Sequence, residues 1–324
     1  METGSTVVGR MMRLIFAGTP ATAVPVLDKL STVHDVRAVL TRPPAPQGRS
    51  SKLVGSPVEM WARSHDVEVL APENLNNPDC VARIREIAPD CCPVVAYGGL
   101  ITRELLGVPA YGWINLHYSL LPAYRGAAPV QRALLDGCTS TGVTAFRLVP
   151  ALDAGPVYLQ KRVEIGEEET AGELLNRLSA LGADVILEAL DLAGRGIEPV
   201  DQPHEGVSLA PKITPEEARV NLGWNPKRCV DVVRAMSPDP GAWAKLESQR
   251  FKILRARIVD EPGPDVSAQT VPGSLYATKR KLYCRVGDGW IELVEVQAPG
   301  KKPMPGPDWA RGAWKGEENP PCLT

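Results

Sequence analysis

No stretch of the sequence approaches the roughly 20 consecutive apolar residues that a membrane-spanning helix needs. Its first apolar run, Leu14–Ala17, is too short for the core of a secretory signal. No C-x-x-C pair occurs, and the seven cysteines are scattered, with no Cys/His cluster at metal-ligand spacing. Reduced thiols and a site without metal are therefore expected, in a soluble protein of the bacterial cytoplasm that makes no use of a membrane. Phe occurs only three times, so the cores must rest on Val, Leu, Ile and Ala. After Gly18 the next glycine is Gly48, which removes the G-x-G-x-x-G spacing of a dinucleotide site from the first strand and turn. Neither sign of charge dominates either: 36 basic side chains stand against 38 acidic ones.

That balance hides a split. Residues 1–206 carry 18 Lys/Arg against 24 Asp/Glu, a net −6, whereas residues 207–324 carry 18 against 14, a net +4. The C-terminal third is thus the part suited to a polyanion. Glycine (29) and proline (31) are abundant, which predicts many loops.

From Met12 to Leu135 short apolar strands alternate with helical patterns, as in Met12–Ala17 followed by Ala21–Leu30, Asp35–Leu40 by Pro57–Ser64, Val67–Leu70 by Pro78–Ile87, and Trp113–His117 by Pro129–Leu135. Strands and helices in alternation build parallel βαβ units and a doubly wound sheet. The pattern then changes to a hairpin, Thr141–Val149 and Gly155–Ile165 about the turn Pro150–Ala154, and a helix over Thr170–Leu192 opened by Thr170 and Glu173 as a capping box. Beyond a Pro/Gly-rich linker at 197–214 lie one helix (Lys227–Met236) and strands at Ala242–Glu247, Phe251–Val259, Gly273–Thr278, Lys281–Val286 and Trp290–Gln297, enough for a small antiparallel barrel. The expected organisation is a disordered extension at 1–11, an α/β domain at 12–196, the linker, and a second domain at 215–324. His34, His65 and His204 sit in polar contexts and are read as surface residues.

The strongest local signal is Ile114-Asn115-Leu116-His117-Tyr118-Ser119-Leu120-Leu121-Pro122, continuing through Tyr124-Arg125-Gly126 to Pro129. With a side-chain period of two, Asn115 and His117 share one face of a strand while Ile114 and Leu116 fill the other. Both polar groups then project from the C-terminal end of a parallel strand, where open α/β sheets bind their ligands.

This run resembles the N-x-H-x-S-L-L-P signature of the folate-dependent formyltransferases, and Leu152-Asp153-Ala154-Gly155 resembles its second part. Further pieces match in order: Phe16–Pro20, Val95–Gly98, Ala210–Thr214, Pro238–Ala242 and Pro299–Lys302. The resemblance spans about Met12 to about Lys315. It implies a Rossmann-like, mostly parallel sheet followed by an OB-like barrel, and it places a catalytic trio on Asn115, His117 and Asp153. In such a reaction an amine attacks the formyl carbon and charge gathers on the carbonyl oxygen. Asn115 and a protonated His117 would donate to that oxygen, and Asp153 would orient the imidazole and raise its pKa. Ser119, Leu120, Leu121 and Pro122, with Tyr97 and Gly98, would line the folate pocket.

The likeness is strongest to the branch of the family that uses 10-formyltetrahydrofolate to formylate methionine carried on initiator tRNA; nucleotide-sugar N-formyltransferases are the alternative. The basic C-terminal third favours RNA. Candidate RNA contacts are Arg42, Arg49 and Lys52 in the loop after the second strand, Lys212 in the linker, and Lys279, Arg280, Lys281, Lys301 and Lys302 on the barrel. In that loop Pro44-Ala45 replaces the Asp-Arg that relatives carry, so that particular arginine cannot reach RNA here, while the neighbouring basic residues keep their attraction for phosphate. A monomer is expected.

Overall fold

The apolar run after Met12 forms β1 (Arg13–Gly18), which leads through a short 3-10 turn into α1 (Val24–Ser31) and β2 (Asp35–Leu40). Then come β3 (Ala45–Pro46), β4 (Leu53–Val54), α2 (Pro57–Ser64), β5 (Glu68–Leu70), α3 (Pro78–Ile87), β6 (Cys92–Val95), α4 (Arg103–Leu106) and β7 (Trp113–His117). α5 (Pro129–Leu135), the strands β8 (Ser140–Arg147) and β9 (Val157–Glu164), and α6 (Ala171–Gly194) follow. The computed structural model describes residues 10–46, 52–260, 270–313 and 322–324. Most of the expected N-terminal extension, residues 1–9, therefore lies outside the described residues.

Seven strands form one sheet in the order β5-β2-β1-β6-β7-β8-β9. Neighbours from β5 to β7 are parallel, and β8 runs antiparallel to β7. The near-continuous burial of β1, β6 and β7 is what a parallel sheet covered on both faces requires. From β1 the chain moves outward to β2 and β5, then returns to the opposite side of β1 at β6, so the strand order reverses between β1 and β6. That reversal opens a crevice beyond the C-terminal ends of the strands.

Local sequence sets the helix starts. Ser56 and Asn77 cap α2 and α3 through their side-chain oxygens, each followed by a proline at the first helical position. Thr170 and Glu173 bond reciprocally, with the Thr170 amide donating to Glu173 Oε2 at 2.8 Å and the Glu173 amide to Thr170 Oγ1 at 3.3 Å, so the predicted capping box is present. α6 lies close over β7 because Gly182 has no side chain: a Cβ there would come within 2.4 Å of Leu116 Cδ2. His34, read as a surface residue, is buried instead; its Nδ1 accepts from the Met12 amide at 3.4 Å, and burial lowers its pKa.

The remaining elements are α7 (Pro226–Met236), β10 (Ala242–Leu246), β11 (Gln249–Val259), β12 (Leu275–Ala277), β13 (Leu282–Val286), β14 (Gly289–Gln297), β15 (Met304–Pro305) and α8 (Gly306–Ala313). Their antiparallel sheet has the order β10-β11-β14-β13-β12, with β15 on β14. Its two edges are joined by the last residues, through bridges Leu246↔Leu323 and Ser274↔Cys322, which closes the sheet as a barrel. The sequence reading lacked β3, β4, α4, α8 and β15. α8 is held by tertiary packing, with Trp309 buried and its ring tilted against Phe251 at 4.6 Å between centroids.

The chain divides into two compact units that do not follow it in simple succession. The first comprises residues 1–126, 141–163 and 175–209; the second comprises 127–140, 164–174 and 210–324. The stretch read as a linker thus contributes 197–209 to the first unit, where Val200 pairs with Val157, and its remainder to the second. Among the described residues no helix is long and apolar enough to cross a membrane.

Candidate active site

Asn115 and His117 end β7 on one face, as their spacing requires, opposite Phe146 and Thr144 of β8. The His117 ring is buried, with the Phe146 ring set edge-on to it at 6.4 Å. Its Nε2 lies 2.7 Å from the Tyr124 carbonyl, which can only accept, so Nε2 carries the hydrogen and donates it. Nδ1 then faces Asp153, with 3.8 Å to Oδ2, too far for a direct hydrogen bond. Asp153 Oδ2 accepts from the Gly126 amide at 2.7 Å. The two-residue step from Tyr124 to Gly126 therefore holds both catalytic candidates, one by a carbonyl and the other by an N–H.

Burial pushes the His117 imidazole below its ordinary pKa; the Asp153 carboxylate and the Tyr124 carbonyl pull upward without overcoming it. The expected upward pull of Asp153 is present, but burial outweighs it and leaves the ring of the free protein neutral at pH 7, because a ring shut away from water loses the hydration that favours its charged form. Asn115 is half-buried, and among the described residues its side-chain amide has no hydrogen-bond partner. Tyr124 (φ 61) and Asp153 (φ 46) both occupy left-handed backbone that side chains disfavour. Such strain is held in place by its surroundings and gathers at functional sites.

The Ser119–Pro122 segment turns out to be divided between scaffold and surface. Ser119 is fully buried, donating to the Ala123 carbonyl at 2.6 Å, and Leu121 is buried beside it. Thr144 binds this turn together: its hydroxyl donates to the Ser119 carbonyl at 2.6 Å and accepts from the Leu121 amide at 3.2 Å. Gln160 Nε2 adds bonds to the Leu121 carbonyl and to Thr144 Oγ1 at 2.7 and 3.1 Å. Leu120 and Pro122 stay half-buried, available as apolar surface. The Tyr97 ring is buried among Ile15, Leu75 and Trp113. Its backbone carbonyl accepts from Thr19 Oγ1 at 2.8 Å, tying the ends of β1 and β6 across the crevice. Gly98 beside it is exposed, as are Leu100 and Leu152, which give this rim apolar surface.

Neither Thr144 nor Gln160 was singled out from sequence. Both lie in ordinary strand patterns, and only the fold brings them under the turn. Tyr124 and Gly126 act through backbone atoms, which leave no residue-type signal.

The basic candidates fall into separate groups. Arg42 and Lys52 are exposed beyond the C-terminal end of β2, on the same edge of the sheet as His117. Arg49 lies outside the described residues. Lys212 is exposed in a segment braced by Arg132, which donates to the Pro211 carbonyl at 3.1 Å and pairs with Glu217 at 2.6 Å. Lys279 and Arg280 are exposed in the β12–β13 turn, and Lys301 and Lys302 in the β14–β15 turn. Because Tyr283 pairs with Glu292, both turns lie at one end of the barrel. Lys281 is half-buried, its ammonium 3.5 Å from the buried Glu292 carboxylate, which Arg257 also pairs.

Two family models match the chain in order: formyl transferase over residues 12–190, and the formyl transferase C-terminal domain over 212–313. A methionyl-tRNA formyltransferase of Streptomyces coelicolor is 50% identical over 305 residues, 93% of this chain and 97% of that protein. One from Saccharopolyspora erythraea is 48% identical over 306 residues, again 93% and 97%. Among solved structures, HypX from Aquifex aeolicus in complex with tetrahydrofolic acid shares the fold at TM-score 0.66 and 18% identity, covering 95% of this chain and 48% of that one. The methionyl-tRNA formyltransferase of Clostridium thermocellum does so at TM-score 0.56 and 16% identity, covering 77% and 94%. With both domains matched in sequence and close relatives aligned along nearly their whole length, the chain belongs to the formyl transferase family, in its methionyl-tRNA formyltransferase branch.

Proposed function

We propose that the chain transfers the formyl group of 10-formyltetrahydrofolate to the α-amine of methionine esterified to initiator tRNA. The observation that supports this most is the near full-length likeness to methionyl-tRNA formyltransferases in a chain that keeps Asn115, His117 and Asp153 together at the sheet's C-terminal edge.

In the reaction the amine nitrogen bonds to the formyl carbon, and the bond from that carbon to the folate nitrogen breaks. The amine gives up a proton and the folate nitrogen gains one. The uncommitted amide of Asn115 is the donor suited to the carbonyl oxygen as it becomes negative. His117, neutral and with Nε2 committed to Tyr124, offers Nδ1 as the base for the amine proton. Asp153, 3.8 Å from that nitrogen, stabilises the imidazolium that results. The exposed backbone at Gly98 and the apolar rim of Leu100, Leu120 and Leu152 suit a flat pteridine, which needs apolar walls and a few fixed backbone partners. The exposed lysines and arginines of the barrel turns, with Lys212, Arg42 and Lys52, serve the RNA backbone.

The test is a direct competition of acceptors. Protein supplied with 10-formyltetrahydrofolate is offered methionyl-tRNA or an amino nucleotide sugar. Formyl-methionyl-tRNA is the expected product; transfer to the sugar alone would overturn the proposal.

A further inference from the structure

The segment between α6 and residue 210 connects two parts of the chain, yet one of its side chains bonds to both turns of the active site. Gln202 Nε2 donates to the carbonyls of Asp153 and Gly155, each at 2.8 Å. Its Oε1 accepts from Arg125 Nε at 3.2 Å and from Arg125 Nη2 at 2.6 Å. Both hydrogens and both lone pairs of the amide are thereby used, which is the full capacity of a glutamine side chain. Ser208, six residues on, reinforces the same place: its hydroxyl accepts from the Tyr124 amide at 2.8 Å and its carbonyl from the Arg125 amide at 2.9 Å.

These bonds meet the positions the site depends on. Tyr124 supplies the carbonyl that fixes the His117 ring, Gly126 the amide that holds the Asp153 carboxylate, and Asp153 itself sits in left-handed backbone at φ 46. A conformation disfavoured for aspartate persists only where neighbours over-determine it. Gly155 closes the turn tightly, since a Cβ there would fall 1.8 Å from the Arg147 carbonyl, so the turn has little room to settle elsewhere.

We infer that Gln202 is a positioning residue for formyl transfer: by joining the Arg125 side chain to the Asp153–Gly155 turn it sets the separation of Asp153 from His117. The inference rests on the reading of Asn115, His117 and Asp153 as the reacting site. Gln202 touches no reacting atom in it and acts through Asp153.

The experiment compares Gln202→Met and Gln202→Glu with the wild-type chain, using 10-formyltetrahydrofolate and methionyl-tRNA. Methionine keeps the length and loses every bond; glutamate keeps the acceptor for Arg125 and loses both donors to the turn. Both variants are expected to lower kcat by about 10- to 100-fold, the scale of a reacting group displaced by roughly 1 Å. KM for each substrate should stay within about twofold. The acid limb of the pH–rate profile should move to lower pH, because a displaced Asp153 raises the His117 pKa less. In an Asp153→Asn background, Gln202→Met should cost nothing further in kcat. Wild-type kcat and pH profile in Gln202→Met would overturn the inference, as would wild-type kcat in Gln202→Glu or a cost undiminished in the Asp153→Asn background. Inactivity of the wild-type chain itself would instead strike the underlying reading of the site.

Discussion

Burial keeps His117 neutral near pH 7, and the Tyr124 carbonyl keeps its hydrogen on Nε2, so the nitrogen facing Asp153 is the one free to take a proton. Activity should accordingly fall on acidification with an apparent pKa below the ordinary histidine value of about 6.5. Asp153→Asn removes the charge that pulls this pKa upward, so the acid limb should shift to still lower pH while kcat drops by about 10²- to 10⁴-fold. The pH–rate profile, with an NMR titration of the His117 ring, measures both effects; an acid limb moving upward would contradict the assignment. Stability follows the same sign. A histidine with a depressed folded pKa binds fewer protons folded than unfolded, so its share of stability is present above about pH 6.5 and lost as pH falls through the folded value. The shared strand face of Asn115 and His117 was legible from the side-chain period of two, and the Asp153 turn from the family resemblance. The protonation state of His117 was not, since it depends on burial that no local pattern encodes.

Strands and helices with strong punctuation were also legible. α2, α3 and α5 have the bounds expected, each opening at its proline, and the capping box of α6 is formed. α8 escaped because its opening Gly306-Pro307 reads as a turn, and its stability comes from Trp309 packing on Phe251. The closing bridges at Cys322 and Leu323 escaped because two-residue pairings have no periodicity to read. At this scale the β12–β13 and β14–β15 turns carry the proposed RNA contacts, and charge reversal tests them. Lys279→Glu with Arg280→Glu should weaken methionyl-tRNA binding and reduce the salt dependence of its affinity, by a slope of roughly 0.7–0.9 for each phosphate no longer neutralised. Titration of labelled tRNA at several salt concentrations measures this; an unchanged slope would place the RNA-binding surface elsewhere. Lys281 makes a poorer probe, because its pairing with buried Glu292 mixes stability with binding.

Across the whole molecule, the near balance of charge gave way to an acidic first part, net −6 over residues 1–206, and a basic remainder, net +4. That partition was readable from composition alone, whereas the interleaving of the two units was not. Residues 127–140 and 164–174 precede the basic part in the chain yet cluster with it, since α5 packs with α7 through bonds such as that from Arg228 to the Leu135 carbonyl. The stretch read as a linker likewise proved to hold the Asp153 turn through Gln202. Formyl transfer at the Asn115, His117 and Asp153 site underlies every role proposed for these residues. Its most direct measurement is single-turnover transfer of labelled formyl from 10-formyltetrahydrofolate to methionyl-tRNA, by the wild-type chain and by Asn115→Ala, with tRNA affinity determined for each. The expected result is transfer by the wild type and a loss of about 10²- to 10³-fold in Asn115→Ala, the scale of removing one oxyanion donor, at tRNA affinity unchanged within about twofold. No transfer by the wild type, or equal rates in the two proteins, would contradict it.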